Sequence, residues 1–231
     1  MAATPKPAAK RLPKKVLAPK ERERVETLFQ RFSTLAEDPR TELDFKNPFT
    51  LLVAVALSAQ ATDKQVNKAT GPLFEVADNP ADMLALGEAG LTRYIASIGL
   101  FRTKAKNVIG LSRILLEQHG GQVPLERTAL MALPGVGRKT ASVVLNELDI
   151  EPAIAVDTHV YRVSHRLKLS AGKTPDQVEA DLMRIVPQPY KTRAHHWLIL
   201  HGRYVCLARR PKCETCQVSD LCPSRALFTG I

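Results

Sequence analysis

The chain has 231 residues, enough to bury one large core or two modest ones, and 45% of them are hydrophobic, which excludes a disordered polypeptide. A formal net charge of +10 and a pI near 9.6 favour a polyanionic partner, either nucleic acid or an acidic membrane surface. The excess is uneven, because residues 1–20 contain five lysines, one arginine and no acid, and the remainder carries only +4 once those six charges are set aside.

Residues 1–20 read as a basic disordered tail that adds non-specific phosphate affinity. No apolar stretch follows them, so a secretory signal is not expected; a transit peptide is an alternative that the prolines and the lack of serine disfavour. Helical periodicity begins with the stripe Val25, Leu28, Phe29, Phe32 and Leu35. The longest apolar run, Phe49 to Ala61, is interrupted by Thr50, Ser58 and Gln60 and falls short of the roughly 20 residues that span a bilayer. It predicts a buried helix, with Asn47-Pro48 as its start signal.

Thr103 is the expected cap of a helix that carries Val108, Leu111 and Leu115 and stops at Gly120-Gly121. Thr174-Pro175 marks another helix start. No Asn-Gly or Asp-Gly hairpin separates alternating runs, and no repeat of solenoid length is present. The class expected is all-α, with nine or ten helices.

Residues 133–141, LPGVGRKTA, join two helical patterns through a turn. Pro134 ends the first helix early, while Gly135 and Gly137 admit backbone angles closed to other residues and let another molecule approach. The second helix then starts with unpaired N–H groups and a positive dipole end, a ready anion site, followed at once by Arg138 and Lys139. A tight structural turn would need the glycines but not the two cations. Phosphate binding is therefore the preferred reading.

All four cysteines fall in the last 26 residues, as Cys206-x6-Cys213-x2-Cys216-x5-Cys222. Clustered thiols in a large helical chain point to a metal rather than disulfides. A four-cysteine zinc site usually has two C-x2-C knuckles and this chain has one, so the spacing leaves zinc and an iron–sulfur cluster both open.

LLVAVALSAQATD (51–63), LPGVGRKTA, VDTHVYRV (156–163), HGRYVC (201–206) and the cysteine tail, in this order, resemble endonuclease III, the family of bifunctional DNA glycosylases and abasic-site lyases of base excision repair. The likeness runs from about Phe45 to Cys222. It implies two helical domains flanking a DNA-binding cleft: a six-helix barrel with a helix-hairpin-helix over about 41–151, and a helical iron–sulfur domain from 21–40 and 152–231. It also implies a [4Fe-4S] cluster held by Cys206, Cys213, Cys216 and Cys222, with zinc as the minor alternative.

By the same resemblance Lys139 is the nucleophile. It attacks C1′ of a damaged nucleotide, displaces the base and forms a Schiff base from which β-elimination cuts the strand. An amine must be neutral to attack, whereas an unperturbed lysine has a pKa of about 10.4. The helix dipole, Arg138 and partial burial are expected to lower it. Asp157 matches the second catalytic residue, which stabilises sugar charge and assists proton transfer; its ordinary use in such a setting is to cap the next helix.

Extruding a nucleotide leaves a gap, which the resemblance fills with Gln60 and, as an apolar wedge, Leu100. Gly135, Gly137 and Arg138 complete the DNA contacts, and Ser58 and His159 are further candidates. Phe101-Arg102 and His165 depart from the family pattern and bear on lesion preference. The expected partner is double-stranded DNA with damaged or abasic sites, bound by a monomer without a membrane, in the cytoplasm and on the nucleoid if the source is bacterial. Two alternatives stay open: a glycosylase without lyase activity, and a non-catalytic DNA-structure binder with a four-cysteine metal site.

Overall fold

A computed structural model describes residues 17–229, so most of the basic tail lies outside the described residues. Pro19 and Lys20, assigned above to that tail, already belong to the first helix. The described residues are all-helical: α1 Pro19–Leu35, α2 Pro48–Leu57, α3 Asp63–Val76, α4 Pro80–Ile95, α5 Phe101–His119, α6 Arg127–Met131, α7 Arg138–Glu147, α8 Thr158–Arg166, α9 Pro175–Ile185, α10 Lys191–Tyr204 and α11 Ala226–Thr229, with two 3-10 turns, Gln188–Tyr190 and Ser219–Leu221. The count exceeds the nine or ten expected because α6 and α11 are single turns. No described helix is long and apolar enough to cross a membrane.

Local chemistry explains most boundaries. Asn47 opens α2 with a capping box: its side chain accepts from the Thr50 N–H at 2.9 Å, and the Thr50 hydroxyl oxygen accepts from the Asn47 N–H at 2.9 Å. The same reciprocal pattern joins Thr174 and Gln177 at the start of α9. Gly120 and Gly121, with φ of 58° and 79°, end α5 through the Gly121 N–H to the Leu115 carbonyl at 2.8 Å. The start of α5 differs from expectation. Thr103 lies inside the helix, and Leu100 takes the cap position in a left-handed conformation with no side-chain bond. Helix α6 is shorter than its sequence pattern because Pro134 bars Leu133 from continuing the turn.

Two hydrophobic cores organise these helices. One gathers α2 to α7, around residues such as Leu51, Leu57, Leu91, Leu111 and Leu145, all fully buried. The other gathers α1, α8, α9, α10 and the segment before and between the cysteines, around Leu28, Phe29, Val160 and Leu198. Helix α2, apolar on every side, is buried almost throughout, as its sequence predicts. Leu35 is 56% exposed and leaves the stripe that Val25 to Phe32 begin.

Helix α10 packs in the second core through Ala194, Trp197 and Leu198 and reaches the first through polar contacts. The buried His196 Nε2 lies 3.0 Å from a Glu147 carboxylate oxygen at the end of α7. Arg193 bridges Asp38 and Asp149, and Arg203 pairs with Glu42 and Asp63. Its neighbour His195 is buried and neutral, its pKa pushed down to about 3 chiefly by burial, then by the adjacent His196 and by Lys139, with Asp157 acting in the opposite sense.

Two outcomes follow from these contacts. Asn47→Ala should cost about 1 kcal/mol through the lost cap, read as a lower urea midpoint at unchanged m-value. The unfolded chain protonates His195 near its ordinary pKa of 6.5 and the folded chain only near 3, so stability should fall as pH drops through that interval, by up to about 1.4 kcal/mol per unit. Urea titrations at several pH values should show a shallower fall in His195→Gln than in the parent chain; identical slopes would assign the acid sensitivity to other groups.

Candidate active site

A cleft of about 750 Å³ opens between the two cores. It collects Ser58, Gln60, Lys139, Asp157 and His159 from three separate stretches of chain. Leu100, Gly135, Gly137 and Arg138 are not part of its lining.

Lys139 stands in the first turn of α7. Gly137 caps that helix with no side chain to satisfy the first N–H groups, so the terminus stays available to an anion. Gly135 has a φ of 77°, and a Cβ there would lie 2.9 Å from the Asn107 side chain, so both conformation and space demand glycine. Gly137 does not follow: its φ is an ordinary −89°, and an added Cβ would meet nothing within 4 Å. That open backbone permits close approach by another molecule.

Two expectations about Lys139 need correction. The residue is exposed rather than partly buried, because it projects from a helix start at the cleft mouth. The charge of Arg138, expected to act on Lys139, is partly balanced, since its Nε lies 3.3 Å from a Glu179 carboxylate oxygen on α9.

Asp157 both caps a helix and lines the cleft. Its Oδ1 accepts from the Val160 N–H at 2.7 Å at the start of α8, and the residue is half-buried. Behind it His195 feels the charges of both Asp157 and Lys139. The His195 Nδ1 is buried with no hydrogen-bond partner among the described residues. Neither His195 nor the cleft-lining Arg203 stands out in the sequence. The only signal for His195 is a pair of histidines inside an apolar helical run.

Gln60 has a φ of 58° and lies in the loop after α2. Leu100 has a φ of 59° and is 61% exposed, which answers why a leucine there is not core packing. The Ser58 hydroxyl donates to the Val55 carbonyl at 2.9 Å, an interaction that belongs to its own helix end. His159 Nδ1 lies 3.3 Å from Arg162 Nη2, and its Cβ would meet a side chain at Gly202 at 2.8 Å, where α8 and α10 cross closely.

The departures from the family pattern are structural in part. His165 stacks on Tyr161 at 4.2 Å between ring centroids and sits 2.9 Å from the Gly172 carbonyl, away from the cleft. Phe101 packs against the first core with Arg102 over its ring at 5.6 Å.

The four cysteines form no disulfide and line one cavity together with Arg166, Lys212 and Arg225. Burial pushes the Cys216 and Cys222 thiols up, and the other cysteines raise them further. Arg166 donates to Cys206 Sγ at 3.3 Å and to the Leu207 and Ala208 carbonyls at 2.7 and 3.0 Å; Arg162 Nε donates to the Cys206 carbonyl at 3.1 Å. Convergent thiols ringed by cations fit an anionic thiolate-bound cluster.

The model of the HhH-GPD superfamily base excision DNA repair protein matches residues 53–188, and that of the iron-sulfur binding domain of endonuclease III matches residues 206–222. Endonuclease III of Escherichia coli K12 is 58% identical over 184 residues, 80% of this chain and 87% of the relative. That of Rickettsia conorii is 54% identical over 198 residues, 86% and 94% of the two chains. A trapped endonuclease III–DNA covalent intermediate superposes with a TM-score of 0.82 at 42% identity, covering 89% of this chain and 97% of that one. A thermostable thymine-DNA glycosylase, at 24% identity and a TM-score of 0.78, shares the fold. The cofactor of the cysteine segment is a [4Fe-4S] cluster, and this chain belongs to the endonuclease III family of HhH-GPD base excision DNA repair proteins.

Proposed function

We propose that this chain removes oxidised pyrimidines from double-stranded DNA and then cuts the strand at the abasic site, with Lys139 and Asp157 carrying the chemistry. The observation that carries the reading is the meeting of Lys139, from the first core, with Asp157, from the second, in one cleft beside an uncapped helix terminus. The Lys139 amine attacks C1′ and expels the base; the C1′–O4′ bond then breaks, with a proton going to O4′, to give a ring-opened Schiff base, and loss of a C2′ proton breaks the C3′–O bond and releases the 3′ phosphate. The positive end of α7 holds the phosphate backbone. Asp157, fixed by its bond to Val160, offers a carboxylate that stabilises cationic sugar and takes a proton from the amine.

Gln60 and Leu100 enter the duplex where the damaged nucleotide has left, and their exposed loops support that role. Gly135 and Gly137 give the phosphate backbone access to the turn, with Arg138 beside it; Ser58 and His159 line the cleft that holds Lys139 and Asp157. The body containing residues 41–151 is the barrel domain, and residues 21–40 with 152–231 form the iron–sulfur domain. Cys206, Cys213, Cys216 and Cys222 hold the [4Fe-4S] cluster, which when bound supplies iron–thiolate bonds that pin the loops around it. The enzyme acts as a monomer on damaged or abasic duplexes, in the compartment that holds the DNA, which in a bacterium is the cytoplasm.

Borohydride reduction on a duplex with one abasic site should trap a covalent adduct with the parent chain and none with Lys139→Gln, although that variant still binds DNA. Asp157→Asn should slow release of thymine glycol by about 10²–10⁴-fold. An adduct that survives in Lys139→Gln would move the nucleophile elsewhere. For the cluster, Cys213→Ser should lose iron and the broad visible absorption of the purified protein; retention of both would remove Cys213 from the ligand set.

A further inference from the structure

Gln60 and Leu100 share a backbone state that neither residue type favours: both are left-handed, with φ of 58° and 59°. For a side chain with a Cβ this costs of order 1–2 kcal/mol, and it persists only where surrounding contacts over-determine it. The two loops also abut, because a Cβ built on Gly99 would lie 4.0 Å from the Gln60 carbonyl.

One residue contacts both. The Lys104 backbone N–H donates to the Leu100 carbonyl at 3.0 Å, closing the first turn of α5. Its side chain runs inward and its Nζ donates to the Ala59 carbonyl at 2.6 Å. Lys104 is only 7% exposed, a rare state for lysine unless it is paired, and burial lowers its pKa. The Ala59 carbonyl belongs to the peptide unit that leads into Gln60, so holding that oxygen restrains the rotation that sets the Gln60 φ. An apolar side chain of the same length would fill the space yet leave the carbonyl without its donor.

We propose that Lys104 is a positioning residue that locks Gln60 and Leu100 into one rigid wedge, its backbone holding the Leu100 turn and its ammonium the Ala59–Gln60 peptide. This rests on the reading of Gln60 and Leu100 as the strand-inserting residues. Lys104 does not line the cleft that holds Lys139. Its effect falls on opening the duplex and not on bond breaking.

The test compares strand cleavage at an abasic site in duplex DNA with cleavage at the same site in single-stranded DNA, where no partner base has to be displaced. Stopped-flow fluorescence of 2-aminopurine placed opposite the site reports insertion directly. In Lys104→Met the duplex-to-single-strand rate ratio and the insertion rate should both fall about tenfold, and Lys104→Arg should recover most of the loss. Added to Gln60→Ala, Lys104→Met should cost less than about twofold more, because residues acting as one unit are not additive.

A folded Lys104→Met with parental ratio and insertion rate would overturn the proposal, as would losses that multiply fully with Gln60→Ala. A purely structural role would lower duplex and single-strand rates together. If Lys104→Met fails to fold, Lys104→Gln, which keeps a shorter donor, is read by the same criteria. If Gln60→Ala and Leu100→Ala themselves leave the ratio at the parental value, the assignment of the inserting residues is what fails.

Discussion

The site depends on the junction between the two hydrophobic cores, and α10 is the element that makes it. Lys139 rides on α7 in one core and Asp157 on α8 in the other, so neither core alone contains both. Helix α10 packs Trp197 and Leu198 in the second core, where Trp197 Nε1 donates to the Ala36 carbonyl at 2.7 Å. From the same helix His196 meets Glu147 at the end of α7, Arg193 clasps Asp38 and Asp149, and Arg203 clasps Glu42 and Asp63. The His196–Glu147 contact is the buried one, whereas the surrounding arginine pairs are half-exposed and individually weak.

Within that frame the cleft is built at the ends of helices. The start of α7 presents unpaired N–H groups because its cap is a glycine, and the start of α8 presents a carboxylate because its cap is an aspartate. One terminus attracts phosphate, while the other holds Asp157 by a short bond to Val160. Capping a helix and facing the cleft are therefore compatible for Asp157. The bond uses one carboxylate oxygen and orients the side chain at the cleft wall. Gln60 and Leu100 hold exposed side chains on left-handed, strained backbones.

The iron–sulfur segment shows the same economy of arginines. Arg24, Arg162 and Arg166 donate to the Leu221, Cys206, Leu207 and Ala208 carbonyls, so α1 and α8 hold the loops that bear the cysteines. These loops have little regular structure of their own. Their order comes from side-chain donors reaching in from packed helices, together with the cluster.

Short-range chemistry was legible in the sequence. The apolar α2, the capping boxes at Asn47 and Thr174, the glycine stop after α5 and the turn at Gly135 all follow from residues within four or five positions of one another. So did the thiol cluster, because its ligands are close in the chain, and the pairing of Lys139 with Asp157 through a family resemblance. The exposure of Lys139, the Arg138–Glu179 contact, the placement of His195 behind Asp157 and the bridge from Lys104 to Ala59 were not legible. Each depends on the distance and angle between helices far apart in sequence, and a buried lysine or histidine looks like any other until its neighbours are known. Residue order sets what each helix can do, whereas packing of the two cores against each other decides which of those groups meet.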